Sequence, residues 1–546
     1  MNKNFLAISL GLVLILAFVI RVLPYANGYE NLIMGDTIRE YEQVLYILEN
    51  EEINFSFIYG MYPAIHLLIA ESSLLTSLDP DFLFRFLPQF FAALGCIAFF
   101  LLIKEAFDEK IALVSSFLLA TFGPNLLWAM KPVRETLGLF IFPFLLFLYW
   151  KAEKEKKYLL PLVLLNIVAL FVHHWSLLLL LLFVGVFVLY SQNRGILFIY
   201  LGTFISAFVY FYLTLNIFKN ILPSFEILLV VLAIFAFVYI ILSKFCSEIL
   251  SLEKFKREIG KYLTLVKERN TPIILTAVFM VILLISSIII KEYLVYDYSW
   301  FFLSSIIILL LATLIGILPS LDNYPLKSFG LILISILYFS LVVIGLVTGY
   351  KYFDPGRIAE FIIFPLGVFA AIGIIHLANY SKNLRTQTIF FTLIFLLFFI
   401  SGLFAIPEVY ITGEEVDIRS YLQYVPIMGT EAIEWAYDER SLLITDNTYV
   451  MAIYDLLQYQ EEKETDSYLA YVSIVDKEAA KENEQINIGS IGSEIDPEHL
   501  TLILSNNKIY TNGWASLYQI SQEEYDLLYA ENPYKWFWGI KNEERL

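Results

Sequence analysis

The sequence predicts an α-helical polytopic membrane bundle of about 13 transmembrane helices with a C-terminal extracytoplasmic α/β domain. Three observations carry that expectation. The 546 residues are 59% hydrophobic with a mean hydropathy of +0.71, which no soluble domain of this size approaches. Apolar runs of crossing length, about 20 residues each, recur along the first three quarters of the chain. The net charge of −17 is uneven: from Pro407 onward there are 27 Asp and Glu against nine Lys and Arg. The first 406 residues are therefore nearly neutral, and residues 407–546 form an acidic appendage.

The spans are expected at 5–24, 85–103, 110–128, 135–150, 158–172, 176–190, 196–218, 225–243, 272–290, 301–319, 329–349, 359–379 and 387–406. The weakest boundary is the turn "HHWS" between the fifth and sixth. The first run lacks an A-x-A-like cleavage site, so a retained helix is expected rather than a signal peptide. Lys and Arg collect in "KEAFDEK", "KAEKEKK", "SQNRG", the long segment from Lys244 to Asn270, and "NYSKNLRTQ". On the positive-inside rule these face the cytoplasm. That puts the N-terminus inside and, after 13 crossings, the acidic domain outside.

The first outer loop, 25–84, is not a polar linker. "TIREYEQVLYILEN" and "YPAIHLLIAESSLLT" have helical apolar spacing, so each is expected to lie along the membrane surface with one face buried. In the C-terminal part, "GTEAIEWAYDE" and "NTYVMAIYDLLQYQ" read as helices. "SLLITD", "YLAYVSIV" and "LTLILS" read as strands, and "NNKIYTNGWASLYQI" as a hairpin.

Several function classes drop out. An acidic chain is a poor partner for nucleic acid. No Walker-type loop, GxGxxG or C-x-x-C is present, and Cys96 and Cys246 are too far apart in sequence to suggest a disulfide framework. The span interiors carry almost no ionisable groups, whereas a pump or secondary transporter needs them near the midplane. Charges gather instead at outer ends: Asp36, Arg85, Lys131, Arg134, Glu135, His173, His174, Arg357 and Glu360 among them. An enzyme acting on a lipid-borne phosphate needs its polar groups there.

With "MGDTIREY" after the first span, "GMYPAIHLL" opening the second surface helix, "FRFLP", "KPVRETLGLF" and "DPGRIAEFIIFPLG", the chain resembles the GT-C superfamily of membrane glycosyltransferases. That superfamily includes protein mannosyltransferases, aminoarabinose transferases and oligosaccharyltransferases. The resemblance implies a polyprenyl-phosphate-linked sugar as donor and a protein, lipid or glycan hydroxyl as acceptor, with inversion at the anomeric carbon. It implies Asp36 as catalytic base, since an acceptor hydroxyl must lose its proton as it attacks. The leaving lipid phosphate suits arginine's planar, permanently charged fork. Arg357 and Arg134 are the candidates, with Lys131 beside them. Departures are visible too: Asp36 is followed by Thr37 and Ile38 rather than a second acid, and "EWAYDER" only loosely resembles the WWDYG signature of oligosaccharyltransferases.

Each residue has a plainer reading. Asp36 is a favoured helix cap; Arg357 has Asp354 and Glu360 to pair with; Arg134 and Glu135 suit an interfacial pair; Arg85 suits a helix-end anchor. His173 and His174, beside Trp175, fit an interfacial belt as well as donor binding. His66 fits packing, and Tyr62 sets loop geometry as readily as it touches sugar. No cofactor is indicated; a divalent metal is compatible with the chemistry, but no ligand set is legible. The competing functions are a transporter or flippase of lipid-linked glycans, an oligosaccharyltransferase-like enzyme, and a non-catalytic scaffold whose C-terminal domain binds surface polymers.

Overall fold

A computed structural model describes residues 3–26, 35–55, 60–191, 193–214, scattered positions between 225 and 244, then 300–347, 355–380, 383–403 and six strands between 442 and 520. Among these, seven helices are long and apolar enough to cross a membrane: Asn4–Leu23, Pro80–Ala106, Arg134–Lys154, Arg194–Thr214, Ile306–Asn323, Lys327–Gly345 and Glu360–Asn379. The chain is a multi-pass membrane protein. The expected span at 272–290, most of that at 225–243, and the expected helices of the C-terminal part lie outside the described residues. The chain divides into two compact units, Met1–Leu23 with Phe86–Pro407 and Pro24–Arg85 with Glu408–Leu546.

The helices that build or lead into the first unit are α1 (Lys3–Ala26), α4 (Pro80–Ala106), α5 (Glu109–Thr121), α6 (Gly123–Ala129), α7 (Arg134–Lys154), α8 (Leu159–Leu170), α9 (His174–Tyr190), α10 (Arg194–Thr214), α11 (Trp300–Asn323), α12 (Pro325–Val347), α13 (Pro355–Tyr380) and α14 (Leu384–Leu403). Their apolar composition makes the backbone satisfy its own hydrogen bonds, as any crossing of hydrocarbon requires. The span expected at 110–128 is not one continuous helix. Pro124 has no N–H and crowds the turn before it, Phe122 goes extended (φ −72°, ψ 117°), and the run becomes two helices.

Helix α13 is the most deeply buried of the crossing helices, and the others gather on it. Phe364 stacks on Phe142 of α7 at 4.6 Å and meets Phe99 of α4 edge-on at 5.3 Å. Thr313 of α11 donates to the Leu366 carbonyl at 3.2 Å. A Cβ at Gly316 or Gly373 would fall on the backbone of the opposite helix, at the Phe369 and Ala312 carbonyls respectively. Bare glycines thus set how closely α11 and α13 cross, as small residues do between membrane helices. At the end of the bundle holding the α4 C-terminus, Glu105 takes Lys151 at 2.7 Å and Lys154 at 3.4 Å. There Lys327 lies over the rings of Phe107, Trp150 and Tyr324.

In the second unit, the two stretches expected as surface helices are α2 (Gly35–Asn50) and α3 (Ala64–Thr76). Helix α3 ends where Ser77 turns left-handed (φ 58°) and its amide reaches back to the Ser73 carbonyl. The strands are β1 (Leu442–Thr445), β2 (Ala470–Ile474), β3 (Asn487–Ile488), β4 (Ser493–Glu494), β5 (Lys508–Thr511) and β6 (Ser516–Ile520). Four form a sheet in the order β1-β2-β6-β5, with β1 parallel to β2 and the other pairs antiparallel. The expected hairpin is β5–β6. The pair β3–β4 arises from a polar stretch without strand alternation.

Candidate functional site

The first unit concentrates buried polar groups at one end, where α1 and α5 finish and α7, α9 and α13 begin. Helix α7 starts after Val133, whose side chain caps nothing, so its first turn presents backbone N–H groups and the positive end of the helix dipole. Lys131 lies just before it and is only 2% exposed. Its carbonyl accepts from the Val133 amide at 2.9 Å and from the Thr136 hydroxyl. Arg134, half-buried, and the buried Glu135 occupy the first turn.

Glu135 does not face outward. Its Oε1 lies 3.1 Å from Nε2 of His173, the residue preceding α9. The other ring nitrogen, Nδ1, lies 3.1 Å from Ser176 Oγ. The three form a carboxylate–imidazole–hydroxyl chain between α7 and α9, in which both nitrogens of His173 are engaged. Gly138 makes the approach possible, because a Cβ there would fall on the Ser176 side chain. His174 turns away, its ring 4.7 Å from that of His173 and 6.4 Å from Phe211 on α10.

A second buried node lies beside it. Arg21 of α1, 1% exposed, donates from Nη1 to the Ala17 and Ala120 carbonyls at 2.8 and 3.4 Å, and from Nη2 to Asn125 Oδ1 at 2.8 Å. Glu360 of α13 is fully buried within its electrostatic reach. Gln89 of α4 donates to the Met130 carbonyl at 2.9 Å.

The second unit has its own pair, His66 Nε2 of α3 with the Glu40 carboxylate of α2. Tyr62 is wholly buried nearby in sequence, and Gln43 almost so. Tyr41, its ring tilted against Phe84 with centroids 5.3 Å apart, is held neutral: burial first, then Asp81 and Asp79, push its phenol above the ordinary value of 10.0, partly offset by Arg85. Arg85 lies inside α4 rather than before a span, ion-paired to Asp81 at 2.7 Å and 5.6 Å above the Tyr25 ring.

The expected site residues are thus placed unevenly. Asp36 is the second residue of α2 and Arg357 the third of α13; both side chains lie outside the described residues. Glu135 and His173, expected separately, meet. Arg85 and His66 have local partners. Arg21, Asn125, Ser176 and Glu40 were not expected. Arg21 is hard to single out in the sequence because it lies within an apolar run, although a charge inside such a run is itself a signal. Among the described residues, no three His, Cys, Asp or Glu side chains gather as a metal site would require.

No family model matches the chain, and no curated protein sequence does. Solved structures do. The oligosaccharyltransferase of Archaeoglobus fulgidus in its apo form superposes with a TM-score of 0.54 at 14% identity, over 84% of this chain and 64% of that one. The same enzyme tethered to an acceptor peptide gives 0.51 at 14% identity, over 82% and 59%. In complex with an inhibitory peptide and a dolichol-phosphate it gives 0.51 at 14%, over 88% and 71%. The chain therefore spans less than two thirds of the length of the first two. The likeness, at 14% identity, is one of fold alone: this chain shares its membrane architecture with that enzyme.

Proposed function

We propose that the protein is an inverting glycosyltransferase that moves a sugar from a polyprenyl-phosphate carrier to an acceptor hydroxyl at the outer face of the membrane. The observation that carries this reading is the buried start of α7. There Lys131, Arg134 and the helix N-terminus gather positive charge, and a carboxylate is anchored among them by His173. Such a place suits an anionic lipid phosphate. Lys104, Lys110, Lys151, Lys154, Lys156 and Lys157 lie at the opposite ends of α4, α5 and α7, which favours that side as cytoplasmic.

In this reading Asp36 takes the proton of the acceptor hydroxyl as its oxygen bonds to the anomeric carbon. The bond from that carbon to the lipid phosphate breaks, and the electron pair leaves on the phosphate. Lys131, Arg134 and Arg357 stabilise the departing charge. His173 is a positioning residue, because both its nitrogens are occupied within the protein. The fold likeness favours one second reading, transfer to a peptide side-chain amide; the absent second acid after Asp36 argues against it.

Purified protein in lipid nanodiscs, given polyprenyl-phosphate sugars with peptide, glycan and lipid acceptors, tests the reading. Asp36→Asn is expected to lose at least a hundredfold in kcat, within the usual range for a general base. Full activity in that variant would remove Asp36 from the role. Movement of the lipid across sealed vesicles without a new glycosidic bond would replace the enzyme reading by a flippase.

A further inference from the structure

The break between α5 and α6 creates a defined problem. In an unbroken helix the Ala120 carbonyl would accept from the amide of residue 124, and residue 124 is proline, which has no N–H. Ala120 is wholly buried, so that carbonyl has no water to turn to. The structure supplies a donor from another helix: Arg21 Nη1 reaches the Ala120 carbonyl, and Nη2 reaches Asn125, the third residue of α6. One guanidinium therefore touches both sides of the break. Its planar fork is what allows this; an ammonium has a single nitrogen to offer.

We propose that Arg21 is a positioning residue that holds the two halves of the broken span together, and through α6 sets the segment Lys131–Glu135. Helix α6 is only seven residues long and runs through Met130 into that segment. Its far end is fixed in turn by Gln89, which donates to the Met130 carbonyl. Between these ties the chain has little freedom to place Lys131.

Thermostability alone does not account for the node. Arg21 Nε and Asn125 Nδ2 are buried without a hydrogen-bond partner among the described residues, and a desolvated charge is a costly way to hold helices together. An apolar side chain would pack there with less penalty. What an apolar side chain cannot do is donate to Ala120 and Asn125 at once.

The part of this proposal that concerns the lipid donor rests on the glycosyltransferase reading; the part that concerns the break does not. The test uses the full chain in nanodiscs with two variants: Arg21→Lys and the charge-neutral Arg21→Met/Glu360→Gln. The double variant is expected to keep the melting temperature within a few degrees of wild type. Its amide hydrogen exchange is expected to rise at least tenfold over 118–133, with α7 beyond residue 140 unchanged. Its KM for a polyprenyl-phosphate sugar is expected to rise about tenfold with the acceptor KM unchanged, and Arg21→Lys should fall between. Unchanged exchange over 118–133, or a uniform rise through α4, α7 and α13, overturns the proposal. If wild type transfers no sugar from any such donor, the functional reading fails and the exchange result alone decides on the clamp.

Discussion

Glu40 and His66 meet inside the second unit as a carboxylate–imidazole pair, their side chains 1% and 0% exposed. The pair joins α2 to α3, and Glu40 stands one helical turn after Asp36 on α2. Nδ1 of His66 has no partner among the described residues, so the carboxylate is the ring's main polar anchor. Removing only the imidazole, in His66→Ala, takes a donor away from a buried carboxylate and should cost about 3–5 kcal/mol. Replacing both partners, in Glu40→Leu/His66→Leu, should cost less than either single change, because neither half of the pair is left facing a missing partner. Thermal unfolding of the three variants checks this; a double variant as unstable as the sum of the singles sinks it.

Tyr41 gives the same unit a pH limit. Its phenol is raised above 10.0 mainly by burial and then by Asp81 and Asp79. A group whose folded value is raised supports the fold fully below its unfolded value. That support is lost as pH rises from about 10 towards the folded value, at up to about 1.4 kcal/mol per pH unit. Wild type should therefore lose stability between pH 10 and 11 more steeply than Tyr41→Phe, with no difference in slope between pH 7 and 9. Parallel melting curves for the two proteins across pH 10–11 would count against it.

Much of this was legible in the sequence and some of it was not, for physical reasons. Helices α2 and α3 were readable because their apolar spacing repeats locally, and β5–β6 because a short turn joins two alternating runs. The break at Phe122 was announced by "FGPN" and overridden by the length of the apolar run around it. Glu135 and His173 were each visible as charges at a span end, yet their meeting depends on how α8 returns the chain, which residue type alone does not encode. Ser176 carries no signal by itself among leucines. Its place three residues after His173, on the same helical face, becomes meaningful only once Gly138 is seen opposite.

The contact between Gly138 and Ser176 leads to the sharpest expectation for the candidate site. A Cβ on Gly138 would meet the Ser176 Oγ and come within 2.9 Å of its Cβ, well inside contact distance; the hydroxyl can rotate away, but the Cβ is fixed to the α9 backbone. Gly138→Ala should therefore wedge α7 from α9 and destabilise by about 1–3 kcal/mol, as overpacking does. The same wedge pulls on His173, whose Nδ1 lies 3.1 Å from that hydroxyl, and through it on Glu135. Activity should fall further than stability alone accounts for. Gly138→Ala/Ser176→Gly removes the collision and should regain most of the lost melting temperature. It does not restore the hydroxyl partner of His173, so activity should recover only in part. Ser176→Ala alone keeps the helices together and separates the two effects: stability close to wild type, with kcat reduced by no more than about tenfold. A Gly138→Ala protein as stable and active as wild type would mean that the two helices stand further apart than this geometry has them, and the positioning role of His173 would go with it.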